Sequence, residues 1–376
     1  MNVVLLCNEY PSVRTHAGIG TVVQILARGL QSRGHRVTVV GLGEPGEHSD
    51  EGVRVVTLQH RRTRFVGNLI ERLELRRWLA HLAKTQRIDM IEVPDSQGLL
   101  PFGVSNCKVV VRLHLSFAAV THVTGERHGR GLCFYEARNL AANSDWIAVS
   151  SYVLNLTRET FGITPNRFEV IHNPAVSIPT ELPEVLNLPI KFILFAGHVC
   201  CRKGADRLAQ AARLVMLENP SVHLVYVGGI YEKNGKPISD FIYETLGRDL
   251  SPRVHFLGRL PREMVLACMA RATVFAFPTA VEGFPMVILE AMACGLPVVY
   301  SRVPAGAELI EDGVSGLLAE QDSPEDFATK ISSLLDDPSW ARRIAEAAKV
   351  RVAERFSTEQ FLHATERFYE DCVSPR

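Results

Sequence analysis

The sequence lacks a net charge, because 41 lysine and arginine residues are matched by 41 aspartate and glutamate residues. Proteins that bind nucleic acid through its phosphates usually carry a basic excess, so we do not expect this class of partner. Apolar residues make up 47% of the 376 residues, which also excludes a disordered chain. A chain of this length is typical of two domains.

A long hydrophobic run is missing as well. A membrane-spanning helix needs about 20 apolar residues in succession, whereas the run over 286–300 is interrupted by Glu290, Gly295 and Pro297. No basic leader precedes the short apolar run at the amino terminus, so we expect no signal peptide. These absences predict a cytoplasmic protein, and they leave open a peripheral contact with the inner face of a membrane.

Signs of a metal site or of disulfide bonds are also absent. The eight cysteines include no C-x-x-C pair, so neither a zinc site nor a disulfide framework is indicated. No D-x-D motif follows a predicted strand, and Asp336 and Asp337 stand at the predicted end of a helix. We therefore expect neither a metal nor another cofactor.

What the sequence does contain is an alternation of short apolar segments and helical patterns. Continuous apolar strands that alternate with helices are typical of a parallel sheet covered on both faces. In the first half the pattern predicts a helix over 22–30 and strands over 3–7, 37–40, 90–93, 109–113 and 147–149.

The alternation stops at four prolines between residues 174 and 189 and then starts again. The second half predicts a helix over 207–217 and strands over 192–196, 222–227, 254–257, 274–276 and 297–300. We therefore predict two Rossmann-like, doubly wound α/β domains, residues 1–180 and 181–356, with the helix 357–376 packed back onto the first. Ligands of such sheets bind beyond the carboxyl ends of the strands, so the expected site is a cleft between the domains.

Two loops between a predicted strand and helix suit an anion. Gly18 and Gly20 precede the first helix, where free N–H groups attract a phosphate, although a plain tight turn explains these glycines equally well. Lys203 and Gly204 occupy the corresponding loop of the second half, where an ammonium next to a helix start would add a charge. Taken alone, Lys203 is equally consistent with an ordinary solvated side chain.

The segment 282–299 places a carboxylate in an unusually apolar helix. Glu290 lies among Val287, Ile288, Leu289 and Ala291, and eight residues separate it from Glu282. A buried carboxylate is costly unless it accepts hydrogen bonds, and the two hydroxyls of a ribose would supply them. A contact between Glu290 and a neighbouring loop is the structural alternative.

The combination of motifs resembles the retaining glycosyltransferases of family 4, which have the two-domain GT-B fold. Glu282 and Glu290, with Gly283-Phe284-Pro285 between them, match the E-x7-E motif of that family. The resemblance extends over nearly the whole chain and includes these further segments: the loop 11–18, Gly34-His35, Val149-Ser150, residues 171–174, Lys203-Gly204, Gly258, Pro278 and residues 305–308.

The resemblance implies a role for each matching position. His114 would lie close to the transferred sugar, Lys203 would neutralise the leaving diphosphate, and Glu282 would face the hydroxyls of the donor sugar. Glu290 would bind the ribose. The expected donor site comprises Gly18, His198, Arg202, Lys203, Gly283, Phe284, Pro285, Met286 and Glu290. As an isolated histidine at the end of a buried strand, His114 is also consistent with a structural role.

One position departs from the family. His198 stands where the family usually has an arginine, five residues before Lys203. A neighbouring diphosphate would favour the charged imidazole, so we expect a steeper dependence on pH than an arginine would give. Arg202 is a second candidate for the missing charge, and a protein without catalytic activity is the other interpretation.

The acceptor is expected to lie against the first domain. Strand ends and loops there offer Glu9, Glu92, Asp95 and Arg112, which suggests a hydroxyl-rich or cationic acceptor, while solvated loop residues remain the alternative. The segment 60–84 mixes basic residues with Phe65, Leu69, Leu73 and Trp78. It could contact an anionic bilayer and a lipid-linked acceptor, although an exposed helix packed on its own domain explains it more simply.

These expectations combine into one predicted function. The chain would transfer a sugar from a nucleoside-diphosphate sugar to an acceptor hydroxyl, with retention of configuration and without a metal ion. A nucleotide-sugar epimerase of the same fold and a sugar-nucleotide-binding protein without turnover are the alternatives.

Overall fold

The computed structural model describes residues 1–13, 18–60, 66–105, 107–185 and 187–374, with only the backbone of residues 66 and 67. The chain divides into two compact units. The first unit comprises Met1–Asn173 and Thr358–Arg376, and the second comprises Pro174–Ser357. The division follows residue 173, whereas the sequence suggested residue 180. Ala175 already belongs to the second unit, because its backbone N–H donates to the carbonyl of Phe356 at 2.7 Å.

The first unit contains an eight-stranded sheet with helices between its strands. Its strands are β1 (Asn2–Leu6), β2 (Arg36–Gly43), β3 (Gly46–Asp50), β4 (Val53–Gln59), β5 (Met90–Pro94), β6 (Lys108–Leu113), β7 (Asp145–Ala148) and β8 (Arg167–Val170). Its helices before the division are α1 (Gly18–Ser32), α2 (Val66–Thr85), α3 (Phe117–Thr124), α4 (Arg130–Ala142) and α5 (Ser151–Phe161).

The strand order of this sheet is β3-β4-β2-β1-β5-β6-β7-β8, and every pair except β3 with β4 is parallel. The chain adds strands first on one side of β1 and then on the other. The direction therefore reverses between β1 and β5, where Val3 pairs with Met90. The loops that follow these two strands lie at the point where sheets of this kind bind ligands.

The second unit repeats the plan with a six-stranded parallel sheet and a two-stranded hairpin. Its strands are β9 (Phe192–Ala196), β10 (His223–Val227), β11 (Glu232–Lys233), β12 (Lys236–Pro237), β13 (Val254–Phe256), β14 (Val274–Phe277), β15 (Val298–Ser301) and β16 (Leu317–Ala319). Its helices are α6 (Ala205–Glu218), α7 (Ile238–Leu250), α8 (Arg262–Arg271), α9 (Met286–Ala293), α10 (Pro304–Leu309), α11 (Pro324–Asp336) and α12 (Pro338–Arg355).

The order of the six-stranded sheet is β13-β10-β9-β14-β15-β16. Its reversal point lies between β9 and β14, where Leu194 pairs with Phe275. Phe195, Phe277 and the other side chains of these central strands are buried on both faces, which explains their continuous apolar sequences. The prediction of two doubly wound α/β domains is confirmed.

The last helix, α13 (Thr358–Val373), belongs to the first unit and packs against α1. Leu362 of α13 lies so close to Gly29 of α1 that a Cβ atom on Gly29 would meet the leucine side chain at 2.5 Å. The small residue therefore allows the two helices to approach each other.

None of the helices in the described ranges combines the length and the apolar character that crossing a bilayer requires.

Candidate active site

The two loops at the reversal point of the second sheet meet through Gly204. This residue has a φ of +79°, and a Cβ atom there would lie 1.8 Å from the carbonyl oxygen of Pro278. Only glycine combines that backbone conformation with such a close approach. The Arg202 carbonyl accepts hydrogen bonds from the Ala280 backbone N–H at 2.9 Å and from the Thr279 hydroxyl at 3.1 Å. The loop after β9 is thereby fixed against the loop after β14.

This arrangement brings Lys203 into a hydrogen-bonded ion pair with Glu282. The Glu282 oxygen Oε1 that binds Lys203 also lies 3.7 Å from Nη1 of Arg202 and 3.4 Å from the hydroxyl of Thr279. Glu282 is 8% exposed, and Lys203 is half-buried. Two cations share one carboxylate, so the cluster keeps a positive charge that can bind an anion.

His198 lies in the same loop, with its ring 4.8 Å from the ring of Tyr231. Burial of part of the ring lowers its pKa to about 4, and the nearby charges of Lys203, Arg259 and Arg202 act in the same direction. The residue keeps an exposed face, so solvent moderates the effect of burial. Without an anion, His198 is therefore neutral at physiological pH, which is the opposite of the charge that a bound diphosphate would favour.

Glu290 is held on α9 by a contact that the sequence did not reveal. Its Oε1 accepts a hydrogen bond from Nε of Arg262 at 2.9 Å. Burial raises the pKa of the Glu290 carboxyl, and the charge and hydrogen bond of Arg262 oppose that rise. The buried Nη2 atom of Arg262 has no hydrogen-bond partner among the described residues. The pair thus joins a carboxyl group whose ionised form Arg262 favours to a buried N–H donor that has no described partner.

The segment between the two glutamates is almost wholly buried. Phe284 is 4% exposed and contacts the ring of Phe356 edge-on, while Met286 is 8% exposed at the start of α9. Gly283 and Pro285 are buried as well. Glu282 lies before α9, as expected, and the buried segment fixes the distance between the two carboxylates.

In the first unit, His114 directly follows β6. Burial and, to a smaller extent, the charge of Arg112 lower the pKa of its imidazole to about 3. The ring makes no hydrogen bond to any described residue, but the backbone N–H of His114 donates to Oδ1 of Asp95 at 3.0 Å. His114 is therefore a neutral, half-buried imidazole whose position depends on its backbone.

The expected acceptor contacts of Glu92 and Arg112 are wrong. Both residues lie inside strands and are buried, with exposures of 4% and 0%. Arg112 donates from Nε and Nη2 to the two carboxylate oxygens of Glu92, at 2.9 and 2.8 Å. The Tyr369 hydroxyl of α13 donates to the same carboxylate at 2.6 Å, and Arg112 also contacts Thr365. This network holds α13 on the sheet and is closed to an acceptor.

Asp95 is also inaccessible, with an exposure of 0%. Its carboxylate binds backbone N–H groups of its own unit, so it shapes the neighbouring loops and cannot contact an acceptor directly. Glu9 follows β1 and is half-buried. Gly20, in the first turn of α1, is packed against it, because a Cβ atom on Gly20 would lie 1.8 Å from the Glu9 carbonyl oxygen.

Gly18 is the first residue of α1 and is exposed. The rest of the loop expected to bind phosphate, residues 14–17, lies outside the described residues.

The basic residues of the segment 60–84 do not all face outward. Arg72 is 5% exposed and donates to the carbonyls of Gly98, Asn68 and Gln97. Arg76 donates to the carbonyl of Gly103 at 3.1 Å. These two residues are therefore not part of a membrane-facing surface. Residues 61–65, which include Phe65, lie outside the described residues.

Glu136, a fully buried carboxylate on α4, was not predicted from the sequence as a site residue. It accepts hydrogen bonds from the backbone N–H of Gln97 after β5 and from those of Phe117 and Ala118, which follow the loop that carries His114. A signal for its burial was present, since Glu136 shares the buried face of α4 with Asn139 and Leu140 at helical spacing.

Two family models match the chain one after the other. The model described as Glycosyltransferase Family 4 matches residues 16–175, and the model described as Glycosyl transferases group 1 matches residues 182–351. Together the two models account for most of the chain. The chain belongs to the glycosyltransferases of group 1 and family 4. The E-x7-E glutamates and Lys203 fall within the second model, and His114 falls within the first.

Curated glycosyltransferases are similar over parts of the chain. An uncharacterized glycosyltransferase of Methanocaldococcus jannaschii is 30% identical over 240 residues, which are 63% of this chain and 62% of the relative. A D-inositol 3-phosphate glycosyltransferase of Corynebacterium aurimucosum is 29% identical over 272 residues, which are 67% of this chain and 62% of the relative. In both cases the match spans less than two thirds of the relative's length.

Solved structures show the GT-B fold of these glycosyltransferases. Sucrose-phosphate synthase from Thermosynechococcus elongatus matches 98% of both chains with a TM-score of 0.82 at 20% identity. The Anabaena protein HepE, in complex with UDP-glucose, matches 99% of this chain and 100% of its own with a TM-score of 0.76 at 19% identity.

Proposed function

We propose that this protein transfers a sugar from a nucleoside-diphosphate sugar to an acceptor hydroxyl. The cluster of Lys203, Arg202 and Glu282 carries the proposal, because it combines an excess of positive charge with a carboxylate beside it. A departing diphosphate needs fixed positive charge, and a donor sugar needs a hydrogen-bond acceptor for its hydroxyls. When the diphosphate binds, Lys203 exchanges its partner from Glu282 to a phosphate oxygen. Glu282 then becomes available to the sugar.

The proposed donor site continues along α9. Glu290 accepts hydrogen bonds from the ribose hydroxyls, and the hydrogen bond from Arg262 favours the charged form of its carboxyl. His198, the loop around Gly283 and Phe284, and the helix start at Gly18 complete the expected contacts. The UDP-glucose in the Anabaena neighbour supports uridine-diphosphate sugars as the first donors to test.

We further propose that configuration is retained and that no metal ion is required. The phosphate charge is then neutralised by Lys203 and Arg202, and the departing phosphate takes the proton of the acceptor hydroxyl as that oxygen attacks the sugar carbon. His114, neutral and half-buried, lines the acceptor side of this reaction. A polyol phosphate belongs in the acceptor panel, because several relatives are named D-inositol 3-phosphate glycosyltransferases.

The test is turnover of UDP-glucose and related donors with a panel of hydroxyl acceptors, in the presence and absence of a chelator. Removing one group that stabilises developing charge typically lowers kcat by about 10²–10³. We expect a loss of this size for Lys203→Ala and none for Lys236→Ala, which removes an exposed lysine of the same unit. Wild-type kcat in Lys203→Ala would contradict the proposal, and NMR of the product tests retention.

A second function is supported by one observation. His198 is neutral in the position where the family usually has arginine, which weakens the stabilisation of the leaving group. A sugar-nucleotide-binding protein without turnover would show this feature. Saturable binding of UDP-sugars with no transfer and no hydrolysis across the panel would favour this second function.

A further inference from the structure

Two fully buried carboxylates bind the backbone of the loop that carries His114 and of the helix turn that follows it. Asp95 follows β5 and Glu136 lies on α4, and each is 0% exposed. Buried carboxylates without a cationic partner are costly unless other donors compensate them. Here the compensation comes from backbone N–H groups, and those groups belong to the segment after β5 and to the segment between β6 and the first turn of α3.

Asp95 binds both loops at once. Its Oδ1 accepts hydrogen bonds from the Ser96 N–H at 2.8 Å and from the His114 N–H at 3.0 Å. Its Oδ2 accepts from the Leu115 N–H at 3.2 Å. Asp95 therefore ties its own loop to the two residues that follow β6.

Glu136 also joins the segment after β5 to the segment after β6. Its Oε1 accepts from the Gln97 N–H at 3.0 Å and from the Phe117 N–H at 3.1 Å, and its Oε2 accepts from the Ala118 N–H at 3.0 Å. The last two N–H groups belong to the first turn of α3, where the positive end of a helix favours a carboxylate.

The segment between these contacts has a strained backbone. Leu115 has a φ of +121°, which a residue with a side chain rarely adopts. Such a conformation persists only where its surroundings determine it, and it is concentrated at functional sites. The hydrogen bonds from His114 and Leu115 to Asp95, and from Phe117 and Ala118 to Glu136, enclose the strained residue on both sides.

We propose that Asp95 and Glu136 are positioning residues that hold the segment 114–118 in the conformation that presents His114 to the reaction. This inference rests on the proposed function, since it assigns a purpose to the orientation of His114. The imidazole has no hydrogen-bond partner among the described residues, so its orientation depends on the backbone that the two carboxylates fix. Neither carboxylate touches the substrates itself.

The charges around the pair make the arrangement sensitive to pH. Burial raises the pKa of Asp95 to about 6 and that of Glu136 to about 7, and the Asp95 charge contributes to the second value. The other charged or titratable groups that face this region are Arg72 and Glu71 on α2, Cys133 and Tyr135 on α4, Arg112 in β6 and His114 directly after it.

Protonation weakens the hydrogen bonds without unfolding the protein. The pKa of each carboxyl is higher in the folded than in the unfolded state. These two groups therefore increase the free energy of unfolding as the pH falls from about 7 to 4.5. The neutral carboxyl, however, accepts weaker hydrogen bonds than the carboxylate. The segment 114–118 therefore loosens in acid while the unit stays folded.

The test compares Glu136→Gln with Glu159→Gln, which removes an exposed carboxylate on α5 of the same unit. In Glu136→Gln, an amide NH2 group replaces one of the two carboxylate oxygens that accept from backbone N–H groups. One of these hydrogen bonds is then lost, as it is weakened when the carboxyl is protonated. We expect Glu136→Gln to lower kcat by about tenfold to a hundredfold at pH 8, to leave the KM for UDP-glucose unchanged, and to remove the fall of wild-type kcat in acid. Asp95→Asn should act in the same direction.

Amide hydrogen exchange at residues 114–118 supplies a readout that does not depend on turnover. Protection there should fall in Glu136→Gln and stay at the wild-type level in Glu159→Gln. An unchanged kcat–pH profile or unchanged protection would overturn the positioning role. A wild-type protein that turns over no donor would instead contradict the proposed function, so the two failures are distinguishable.

Discussion

Glu290 illustrates how one neighbour decides the charge of a buried residue. Its carboxyl would tend to be neutral in an apolar helix, but Arg262 opposes that tendency with a hydrogen bond and a charge. A carboxylate accepts stronger hydrogen bonds than a neutral carboxyl does. In the proposed donor site, Arg262 would therefore strengthen the contact of Glu290 with a ribose, although it lies outside the E-x7-E motif.

Replacing Arg262 by glutamine should weaken donor binding most at low pH. Without the arginine, the pKa of Glu290 rises further above its usual value, so the carboxylate is lost as the pH falls. We expect the KM for UDP-glucose to rise more steeply between pH 8 and pH 6 in Arg262→Gln than in the wild type, with Arg262→Lys in between. The exposed Arg248→Gln is the control, and parallel KM profiles would contradict the prediction.

His198 should make donor affinity depend on pH. Its lowered pKa leaves the imidazole neutral in the free protein, and a bound diphosphate raises that pKa again. Binding then takes up a proton, so affinity should increase as the pH falls from 8.5 to 6. Calorimetry with UDP should show this trend in the wild type and a flatter one in His198→Arg. Superimposable profiles would show that the imidazole does not respond to the diphosphate.

At the scale of secondary-structure elements, α13 depends on a buried polar network. The Tyr369 hydroxyl and Thr365 join α13 to the Arg112–Glu92 pair, and all four residues are buried. The exposed pair of Arg367 and Glu169 links the same helix to β8 at 2.6 Å. The two contacts differ mainly in solvent exposure.

Removing the buried contact should cost much more stability than removing the exposed one. Tyr369→Phe leaves part of a buried charge pair unsatisfied, so we expect a loss of about 1–3 kcal/mol in the free energy of unfolding. Arg367→Ala should cost about 0–1 kcal/mol, as exposed ion pairs do. Urea unfolding measures both values. Equal losses in the two variants would show that burial does not govern the contribution of this helix.

Elements with continuous apolar sequences were predictable, whereas those defined by distant partners were not. Strand β9 agrees with its predicted range 192–196, because every residue of it is buried. Strand β3 was missed because its sequence, GEHSD, is polar and its residues are exposed or half-buried at an edge of the sheet. Glu92 and Arg112 were wrongly assigned to an acceptor site, because the sequence did not reveal their buried partner. That partner, Tyr369, lies 277 positions from Glu92.

The candidate site shows the same limit. Lys203 could be identified because it stands next to Gly204 between a predicted strand and helix. Glu282 and Glu290 could be identified by their eight-residue spacing, which matches the E-x7-E motif. Their direct contacts were not predictable, because Arg262 and Glu290 approach each other only through the packing of α8 and α9. Glu136 was missed for a similar reason, as its hydrogen bonds join parts of the chain that the sequence keeps apart.

At the scale of the whole molecule, the absence of net charge results from a cancellation. Residues 1–180 carry a charge of +5 and residues 181–376 a charge of −5. The helix α13 adds acidic residues to the first unit, so the units themselves differ less: the first has 22 basic and 19 acidic residues, and the second has 19 and 22. The overall field of the second unit therefore does not favour a diphosphate, so the proposed donor site depends on local groups such as Lys203.

Removing the residues after Ser357 should unfold the first unit selectively. Phe361, Leu362 and Phe368 of α13 are buried, and the Arg112–Glu92 pair would lose its hydroxyl partners. Hydrogen exchange of the shortened chain should show loss of protection in β5 and β6 with native protection in β9 and β14. Native protection in both sheets would mean that the first unit does not need this helix.

The return of α13 also sets an order of events during synthesis. Domains generally fold as units while the chain emerges from the ribosome, with the amino-terminal domain first. Here the first unit remains without one helix until all of Pro174–Ser357 has been made. The unit that carries His114 therefore closes only after the second unit has been synthesised. A chain released before α13 is made has a complete second sheet but lacks the helix that covers Arg112.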